Sequence, residues 1–188
     1  RNLHKAATAI SEEHAGIVPN SYDELIALPG LGPYTTAAVL SIAYQKPHAV
    51  LDGNVIRVLA RLYNIDDAVD RPATKRDLQA LADSLLNIDR PGDHNQATME
   101  LGATVCKPRN PNCDSCPVSD FCAALSEQTV DKIPLKTKAR PRPEHEYIAG
   151  IIRKEEDYLI CRRKEKGLLG GLWEFPAAKL PVETHSPD

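Results

Sequence analysis

Four of the five cysteines stand close together in the second half of the chain, and thiolates at such spacing can hold a metal centre. They are Cys106, Cys113, Cys116 and Cys122. Zinc sites more often join two ligand pairs across a longer spacer, whereas iron–sulfur clusters are held by cysteine alone. The pattern therefore favours a 4Fe–4S cluster, with zinc and disulfide bonds as the alternatives. Cys161 lies apart, and a cysteine in a strand is most often part of a core.

Two basic residues, Lys107 and Arg109, lie in the loop between the first two cysteines. Such charges are either solvated or contact a phosphate group from a loop that the metal centre keeps rigid. The sequence leaves both interpretations open.

A second feature is the segment LPGLGP at residues 28–33. Its two glycines, Gly30 and Gly32, permit a tight turn with positive φ and let a phosphate approach the backbone. Pro33 suits the first position of a helix, whose free N–H groups and dipole attract an anion. The segment therefore predicts a phosphate site that needs no positive net charge; an ordinary helix–turn–helix corner is the alternative.

The third feature is Asp52, in the segment VLDGNV at residues 50–55. An aspartate at the start of a helix usually caps that helix. The alternative is a carboxylate at the mouth of a pocket, where it would stabilise the positive charge that develops on a sugar as a glycosidic bond breaks.

The bulk properties limit the class of protein. The chain has 188 residues, a net charge of -3, a pI of about 6.1 and a mean hydropathy of -0.36. It contains no apolar run of the ~20 residues that a membrane helix needs, and its first residues do not resemble a signal peptide. Since a general nucleic-acid binder is expected to be basic, any DNA contact must come from local geometry.

Periodicity and capping signals predict the elements that position these residues. Helices are expected at 3–13, from Ser21, at 34–44, from Val55, from Thr74 with Asp77, and at 93–105. Alternating Lys, Arg and Pro residues at 131–143 predict an extended linker. Strands are expected at 147–152 and 158–161, with a further apolar segment at 170–176. This β part has few residues for an independent core.

In this order and spacing, the LPGLGP turn, the VLDGNV loop and the four cysteines resemble the endonuclease III superfamily of helix-hairpin-helix DNA glycosylases over residues 1–124. The resemblance implies an α+β chain. Residues 1–124 would form part of the all-α glycosylase domain, with the iron–sulfur loop at 106–122. A linker at 125–145 would lead to 146–188, the start of a Nudix-like β domain that recognises 8-oxoguanine.

Tyr34 separates two chemistries within that superfamily. Members that also cleave the strand carry a lysine here, two residues after the second hairpin glycine, and its amine forms a Schiff base with the sugar. A phenol cannot do so. The aromatic residue, together with the segments RNLH at 1–4 and ELGATVC at 100–106, is similar to the adenine DNA glycosylase family. The segment GLWEFP at 171–176 is similar to an early strand of that family's Nudix-like domain; no Nudix hydrolase box follows it, so nucleotide hydrolysis is not supported.

The resemblance also implies roles for individual residues. Asp52 would stabilise the oxocarbenium-like sugar, with a transient covalent bond as an option, and Asn54 would orient it. Tyr34 would shape the pocket, with packing between helices as the alternative. The DNA backbone would be held by Gly30, Leu31, Gly32, Tyr34, Lys107 and Arg109, with a monovalent or divalent cation at the hairpin as an option. The four cysteines would ligate a structural cluster.

These roles predict hydrolysis of the N-glycosidic bond of adenine mispaired with 8-oxoguanine or guanine in double-stranded DNA, after the base is flipped out. We expect a monomeric base-excision repair enzyme of the cytoplasm, at the bacterial nucleoid. The family's general acid, a glutamate on an earlier helix, has no counterpart here, so the chain resembles a fragment truncated at both ends and is expected to be inactive alone. An endonuclease III-like lyase and a non-catalytic DNA-binding iron–sulfur fragment remain as alternatives.

Overall fold

A computed structural model describes residues 1–138 and 144–180. The chain divides into a helical unit, Arg1–Lys138, and a second unit, Ala139–Asp188. Within the described ranges, no helix combines the length and the apolar character that a membrane span requires.

The helical unit contains seven α-helices and three short helical turns of other types among its described residues. The α-helices are α1 (Asn2–Glu13), α2 (Tyr22–Ala27), α3 (Pro33–Tyr44), α4 (Gly53–Leu62), α5 (Pro72–Leu85), α6 (Pro91–Glu100) and α7 (Ala123–Ser126). The others are a π-helix at Leu101–Val105, which directly continues α6, and 3-10 helices at Cys113–Ser115 and Ser119–Phe121.

Capping explains where several of these helices begin. The Ser21 hydroxyl accepts a hydrogen bond from the backbone N–H of Glu24, which caps α2 as its sequence predicts. Pro33 is the first residue of α3, where its missing N–H costs nothing. Asp52 caps α4 with its carboxylate. The helix expected from Val55 thus begins at Gly53, directly after Asp52.

Two helix starts differ from the sequence prediction, and proline is the reason in both. Thr74 does not begin a helix but is buried inside α5, which starts at Pro72. Pro91 begins α6 rather than only breaking the chain before Asp93. In both helices proline supplies the first residue because its fixed φ suits that position and its lack of an N–H is harmless there.

Two buried clusters hold the helical unit together. One joins α1, α2 and α3 through Ala6, Leu25, Leu28 and Leu40. The larger one surrounds α4, whose buried side chains pack with α5, α7 and the segment around Ile133. The helix that carries Asp52 at its start is therefore the centre of the main core.

The segment proposed as a linker belongs in part to the helical unit. Ile133 is buried, the N–H of Val69 bonds to the carbonyl of Leu135 at 2.9 Å, and the N–H of Thr137 bonds to Asp70 at 2.8 Å. Up to Lys138 the chain is thus fastened to the helices instead of running free. Residues 139–143 of the proposed linker lie outside the described residues.

The second unit shows three antiparallel two-stranded ladders in its described part. The strands are β1 (Tyr147–Ala149), β2 (Arg153–Lys154), β3 (Asp157–Tyr158), β4 (Cys161–Arg162), β5 (Trp173–Glu174) and β6 (Ala177–Lys179), paired β1 with β6, β2 with β3, and β4 with β5. The expected strands are present but shorter, since 147–152 and 158–161 are each interrupted. Among residues 144–180 only Gly170 is buried, as expected for a β part with few residues for its own core.

Candidate active site and cysteine pocket

Asp52 is held by three hydrogen bonds at the start of α4. Its Oδ1 accepts from the backbone N–H groups of Asn54 at 2.9 Å and Val55 at 2.8 Å. Its Oδ2 accepts from the side-chain amide of Asn54 at 3.0 Å. The helix-cap interpretation of Asp52 is therefore confirmed. The side chain is half-buried, so it is fixed in place but still reachable.

The cap leaves part of the carboxylate available. An ionised carboxylate has about four lone-pair directions, and three of them are occupied here. The remaining one lies on Oδ2. A carboxylate of this kind can face a developing positive charge without losing the bonds that orient it.

A buried arginine fixes Asn54 in turn. The Arg57 Nη2 donates to Asn54 Oδ1 at 2.8 Å and to the carbonyl of Gly102 at 2.7 Å. The Nε donates to the carbonyl of Cys106 at 2.7 Å. Burial lowers the pKa of Arg57, while the Cys106 thiolate acts in the opposite direction. One side chain thus connects the Asp52 loop to the first cysteine.

The segment before Asp52 is anchored by Asn95, which is 2% exposed. Asn95 Oδ1 accepts from the N–H of Val50 at 3.1 Å, and its Nδ2 donates to Ser41 Oγ at 2.8 Å and to the His48 carbonyl at 2.9 Å. This amide therefore ties the entry of the Asp52 loop to α3 and α6.

The LPGLGP turn leads into α3 through two glycines of different conformation. Gly30 adopts a φ of 85°, the left-handed region that favours glycine. Gly32 is extended instead, with a φ of -96°, and precedes α3 without any side-chain cap. No heavy atom lies within 4 Å of the position where a Gly32 Cβ would stand. The start of α3 therefore has no side-chain cap for its first N–H groups, and the space beside Gly32 is open.

Leu31 and Tyr34, which lie between and shortly after these glycines, differ in exposure. Tyr34 lies in the first turn of α3, is 44% exposed, and donates a weak hydrogen bond to Met99 Sδ at 3.7 Å. Leu31 is partly buried and packs against the cluster formed by α1, α2 and α3. Tyr34 is thus more accessible to a ligand than Leu31, which is partly covered by its packing.

All four clustered cysteines line one small pocket. Burial raises the pKa of the Cys113 thiol, and the thiolates of Cys106, Cys122 and Cys116 raise it further, because like charges oppose one another at short range. Four soft thiol donors that converge in this way fit an iron–sulfur cluster. Within the described residues, no group of His, Cys, Asp or Glu has the arrangement of a site for a single metal ion.

A second buried arginine, Arg61, holds the backbone around this pocket. Its Nη1 donates to the carbonyl of Lys107 at 2.7 Å and to Cys106 Sγ at 3.4 Å. Its Nε donates to the carbonyl of Ile133 at 2.8 Å. Lys107 and Arg109 themselves are exposed, so their side chains are free to meet a phosphate while their loop is fixed from inside.

Sequence reasoning missed four positions at this site: Arg57, Arg61, Asn95 and Gly102. A signal for the first two was present, since Arg57 and Arg61 interrupt the apolar face of α4 one helical turn apart, and a charged residue is seldom buried without partners. No comparable signal marks Asn95 or Gly102, because their roles depend on contacts between distant segments.

Family models match two of the three chemical features. A model described as "Helix-hairpin-helix motif" matches residues 13–42. A model described as "Iron-sulfur binding domain of endonuclease III" matches residues 106–122 and so covers all four cysteines. The pocket is therefore an iron–sulfur site, as the cysteine spacing predicts.

Similar proteins named adenine DNA glycosylase occur in several organisms. The protein from Schizosaccharomyces pombe is 34% identical over 100% of this chain and 50% of its own length. The Arabidopsis thaliana protein is 40% identical over 89% of this chain and 29% of its own length. The chain thus spans about half, or less, of the relatives that it matches.

Solved structures confirm the fold of the helical part. A thermostable thymine-DNA glycosylase aligns with a TM-score of 0.59 and 30% identity over 67% of this chain and 58% of that chain. Endonuclease III in a non-covalent complex with DNA aligns with a TM-score of 0.57 and 26% identity over 68% of this chain and 58% of that chain. The helices therefore have the arrangement of a helix-hairpin-helix glycosylase.

Proposed function

We propose that this chain, which belongs to the adenine DNA glycosylase family of helix-hairpin-helix proteins with an iron–sulfur cluster, supplies the catalytic carboxylate and the DNA-backbone contacts of a monofunctional adenine glycosylase. The observation that carries the proposal is the Asp52 carboxylate, which is fixed by three hydrogen bonds and retains one free direction on Oδ2. The substrate would be adenine opposite 8-oxoguanine or guanine in double-stranded DNA.

Asp52 would act on the sugar. As the bond from the sugar to adenine breaks, positive charge develops on the sugar ring, and a nearby carboxylate stabilises it. Asn54 would keep Asp52 oriented because it bonds to Oδ2. The target nucleotide must leave the base stack for this contact to form.

Tyr34 supports base excision without strand cleavage. Strand cleavage through a Schiff base requires an amine, and the superfamily position for that amine holds a phenol here. Because Tyr34 is exposed at the start of α3, it can border the pocket that receives the flipped nucleotide.

The DNA backbone would be held at two places. The free N–H groups at the start of α3 and the open space beside Gly32 suit one phosphate, to which a bound cation could add. Lys107 and Arg109 suit another, since both are exposed on a loop whose backbone Arg61 holds. Local contacts of this kind allow DNA binding despite a net charge of -3.

The cluster, when bound, serves a structural purpose, because excision of a base moves no electrons. Cys106, Cys113, Cys116 and Cys122 would hold it and thereby fix the loop that carries Lys107 and Arg109. Arg57 would connect the cluster loop to Asn54, because it donates hydrogen bonds both to the Cys106 carbonyl and to Asn54 Oδ1.

We assign the second unit to a Nudix-like domain that recognises 8-oxoguanine. Support comes from the segment GLWEFP at 171–176, where β5 pairs with β4. We also infer a monomer that works on chromosomal DNA, since one chain contains the hairpin, Asp52 and all four cysteines.

The test compares two duplexes with an abasic-site analogue opposite 8-oxoguanine, one with a cationic pyrrolidine ring and one with a neutral tetrahydrofuran ring. A protein that stabilises a cationic sugar binds the pyrrolidine duplex more tightly. We expect a preference of at least about 10-fold, or 1.4 kcal/mol, that disappears in Asp52→Asn. The comparison is independent of any general acid. Equal affinities in the iron-loaded wild type would refute the proposal.

A second candidate, an endonuclease III-like lyase, is favoured by structural similarity to that enzyme and by the family model that matches residues 106–122. Borohydride reduction in the presence of an abasic duplex distinguishes it, because a Schiff base is trapped as a covalent protein–DNA adduct. We expect no adduct with this chain.

A further inference from the structure

Gly102 lies in the π-helix Leu101–Val105, and the backbone of Asn54 approaches it closely. A Cβ at position 102 would stand 2.6 Å from Asn54 Cβ, 2.9 Å from Asn54 O and 3.0 Å from Asn54 C. Real Cβ atoms essentially never come closer than 3.0 Å to another atom. Since two of the three neighbours are backbone atoms, a side-chain rotation cannot relieve the contact. Only glycine fits this position without displacing Asn54.

The carbonyl of Gly102 contacts the same site by a second route. It accepts from Arg57 Nη2 at 2.7 Å, and that nitrogen also donates to Asn54 Oδ1 at 2.8 Å. Asn54 in turn donates to Asp52 Oδ2 at 3.0 Å. Gly102 therefore sets the position of Asn54 both directly and through Arg57.

The π-helix explains how Gly102 reaches α4. The N–H of Cys106 bonds to the carbonyl of Leu101 at 2.7 Å, a span of five residues rather than four. The wider turn changes the face that α6 presents, and such turns are frequent at functional sites. One end of the continuous helix contacts α3 through Gly92, and the other contacts α4 through Gly102.

We propose that Gly102 is a positioning residue for Asp52, and that the small size of residue 102 sets the orientation of the Asp52 carboxylate through Asn54. This inference rests on the proposed function of Asp52. A Cβ at position 102 displaces Asn54 by several tenths of an ångström, and misplacements of about 1 Å are enough to cost about 100-fold in rate.

The experiment measures affinities for the pyrrolidine and tetrahydrofuran duplexes in iron-loaded Gly102→Ala. We expect the preference for the cationic ring to fall by about 10-fold, while affinity for the neutral ring and the iron content stay at wild-type values. A merely structural role would lower iron content or neutral-ring affinity and leave the ratio unchanged.

Gly92→Ala is the matched control. Its Cβ would lie 2.8 Å from Ser41 O and 3.0 Å from Ile42 Cα, a comparable contact on the same helix but against α3. We expect Gly92→Ala to lower the Tm and to keep the wild-type affinity ratio.

The outcomes separate the two proposals. If wild type shows no preference for the cationic ring, the proposed function fails and this inference fails with it. If wild type shows the preference and Gly102→Ala keeps it, only the role of Gly102 is overturned. Should Gly102→Ala not load iron, Asn54→Ala tests the same connection with glycine kept at position 102, since it removes the side chain through which Gly102 would act on Asp52. An unchanged affinity ratio in Asn54→Ala would then overturn the inference.

Discussion

At the residue scale, the Asp52 carboxylate combines two roles that sequence reasoning treats as alternatives. A carboxylate that caps a helix is oriented by backbone N–H groups, which here bind Oδ1 and leave Oδ2 with a single partner, the side chain of Asn54. Because Oδ2 accepts only one hydrogen bond, from Asn54, its other lone pair stays free. The same bonds that cap the helix therefore hold the carboxylate in an orientation from which it can interact with a cation. The helix-cap role is shown by the structure, and the catalytic role is the proposal that follows from it.

Asn54 supplies the first prediction at this scale. Asn54→Ala removes the donor to Asp52 Oδ2 and the acceptor of Arg57 Nη2. We expect the preference for the pyrrolidine duplex to fall by about 10-fold, since one hydrogen bond to a charged group contributes about 1.5–3 kcal/mol. Asn87→Ala, which alters an exposed loop amide, is the control and should keep the ratio. An unchanged ratio in Asn54→Ala would contradict the orienting role.

Arg61 supplies the second prediction at the residue scale. Arg61→Met leaves the carbonyls of Ile133 and Lys107 without their donor and removes the contact to Cys106 Sγ. We expect a loss of about 2–4 kcal/mol in unfolding free energy and a lower iron content per chain. Arg71→Met removes only an exposed ion pair to Asp67 and should change stability by less than about 0.5 kcal/mol. Full iron loading and a wild-type Tm in Arg61→Met would show that the guanidinium is dispensable.

His94 supplies a prediction about pH. Burial lowers the pKa of His94 in the folded chain, so the unfolded chain binds the proton more tightly. The contribution of His94 to the free energy of unfolding is therefore complete above its pKa in the unfolded chain, about 6.5. It is lost as pH falls through that pKa toward the pKa in the folded chain. Denaturant titrations between neutral and acidic pH should show this loss in wild type, and it should be smaller in His94→Gln. The same pH dependence in wild type and His94→Gln would show that His94 is not its source. His4→Gln serves as the control.

At the element scale, α4 and the α6–π-helix pair carry the site. The helix starts at Ser21 and Pro33 could be predicted because a capping box and a first-turn proline are local signals. Pro72 and Pro91 carry the same signal, but the sequence pattern alone favours a chain break at Pro91 and a helix start at Thr74. The π-helix could not be predicted, since the segment LGATV carries no local signal for a wider turn, and its contact with Asn54 joins segments far apart in the sequence.

Asn95 supplies the prediction at this scale, because it joins α3, α6 and the loop before Asp52. Asn95→Ala leaves the Val50 N–H without its acceptor in a buried place. We expect a loss of about 2–3 kcal/mol in unfolding free energy and a weaker preference for the cationic duplex. Gln96→Ala, at an exposed neighbouring position, is the control. Chemical denaturation provides the measurement, and equal stability of the two variants would contradict the anchoring role.

At the scale of the whole molecule, the features proposed for chemistry all lie within residues 1–138. The hairpin, Asp52, the four cysteines and the segment that meets Arg61 belong to one unit. Composition could not show that these features share one unit. It could not indicate DNA binding either, because the net charge of the chain is -3. The combination of three short motifs in a fixed order was far more informative than any bulk property.

This division predicts the behaviour of the shortened chain. A chain ending at Lys138 should keep the iron content and the affinity for the tetrahydrofuran duplex of the full chain, since every contact described for the site lies within it. If residues 139–188 belong to an 8-oxoguanine-recognition domain, their removal should only reduce the preference for 8-oxoguanine over guanine opposite the analogue. Loss of iron on shortening would show that the division into units is wrong.

The central claim is that Asp52, braced by Asn54 and Arg57, stabilises a cationic sugar. The most direct measurement is the ratio of dissociation constants for the tetrahydrofuran and pyrrolidine duplexes, taken with iron-loaded wild type and with Asp52→Asn. We predict a ratio of at least about 10 in wild type and about 1 in the variant, with similar affinity of both proteins for the neutral duplex. A wild-type ratio near 1, or a ratio that survives the loss of the carboxylate, would contradict the claim.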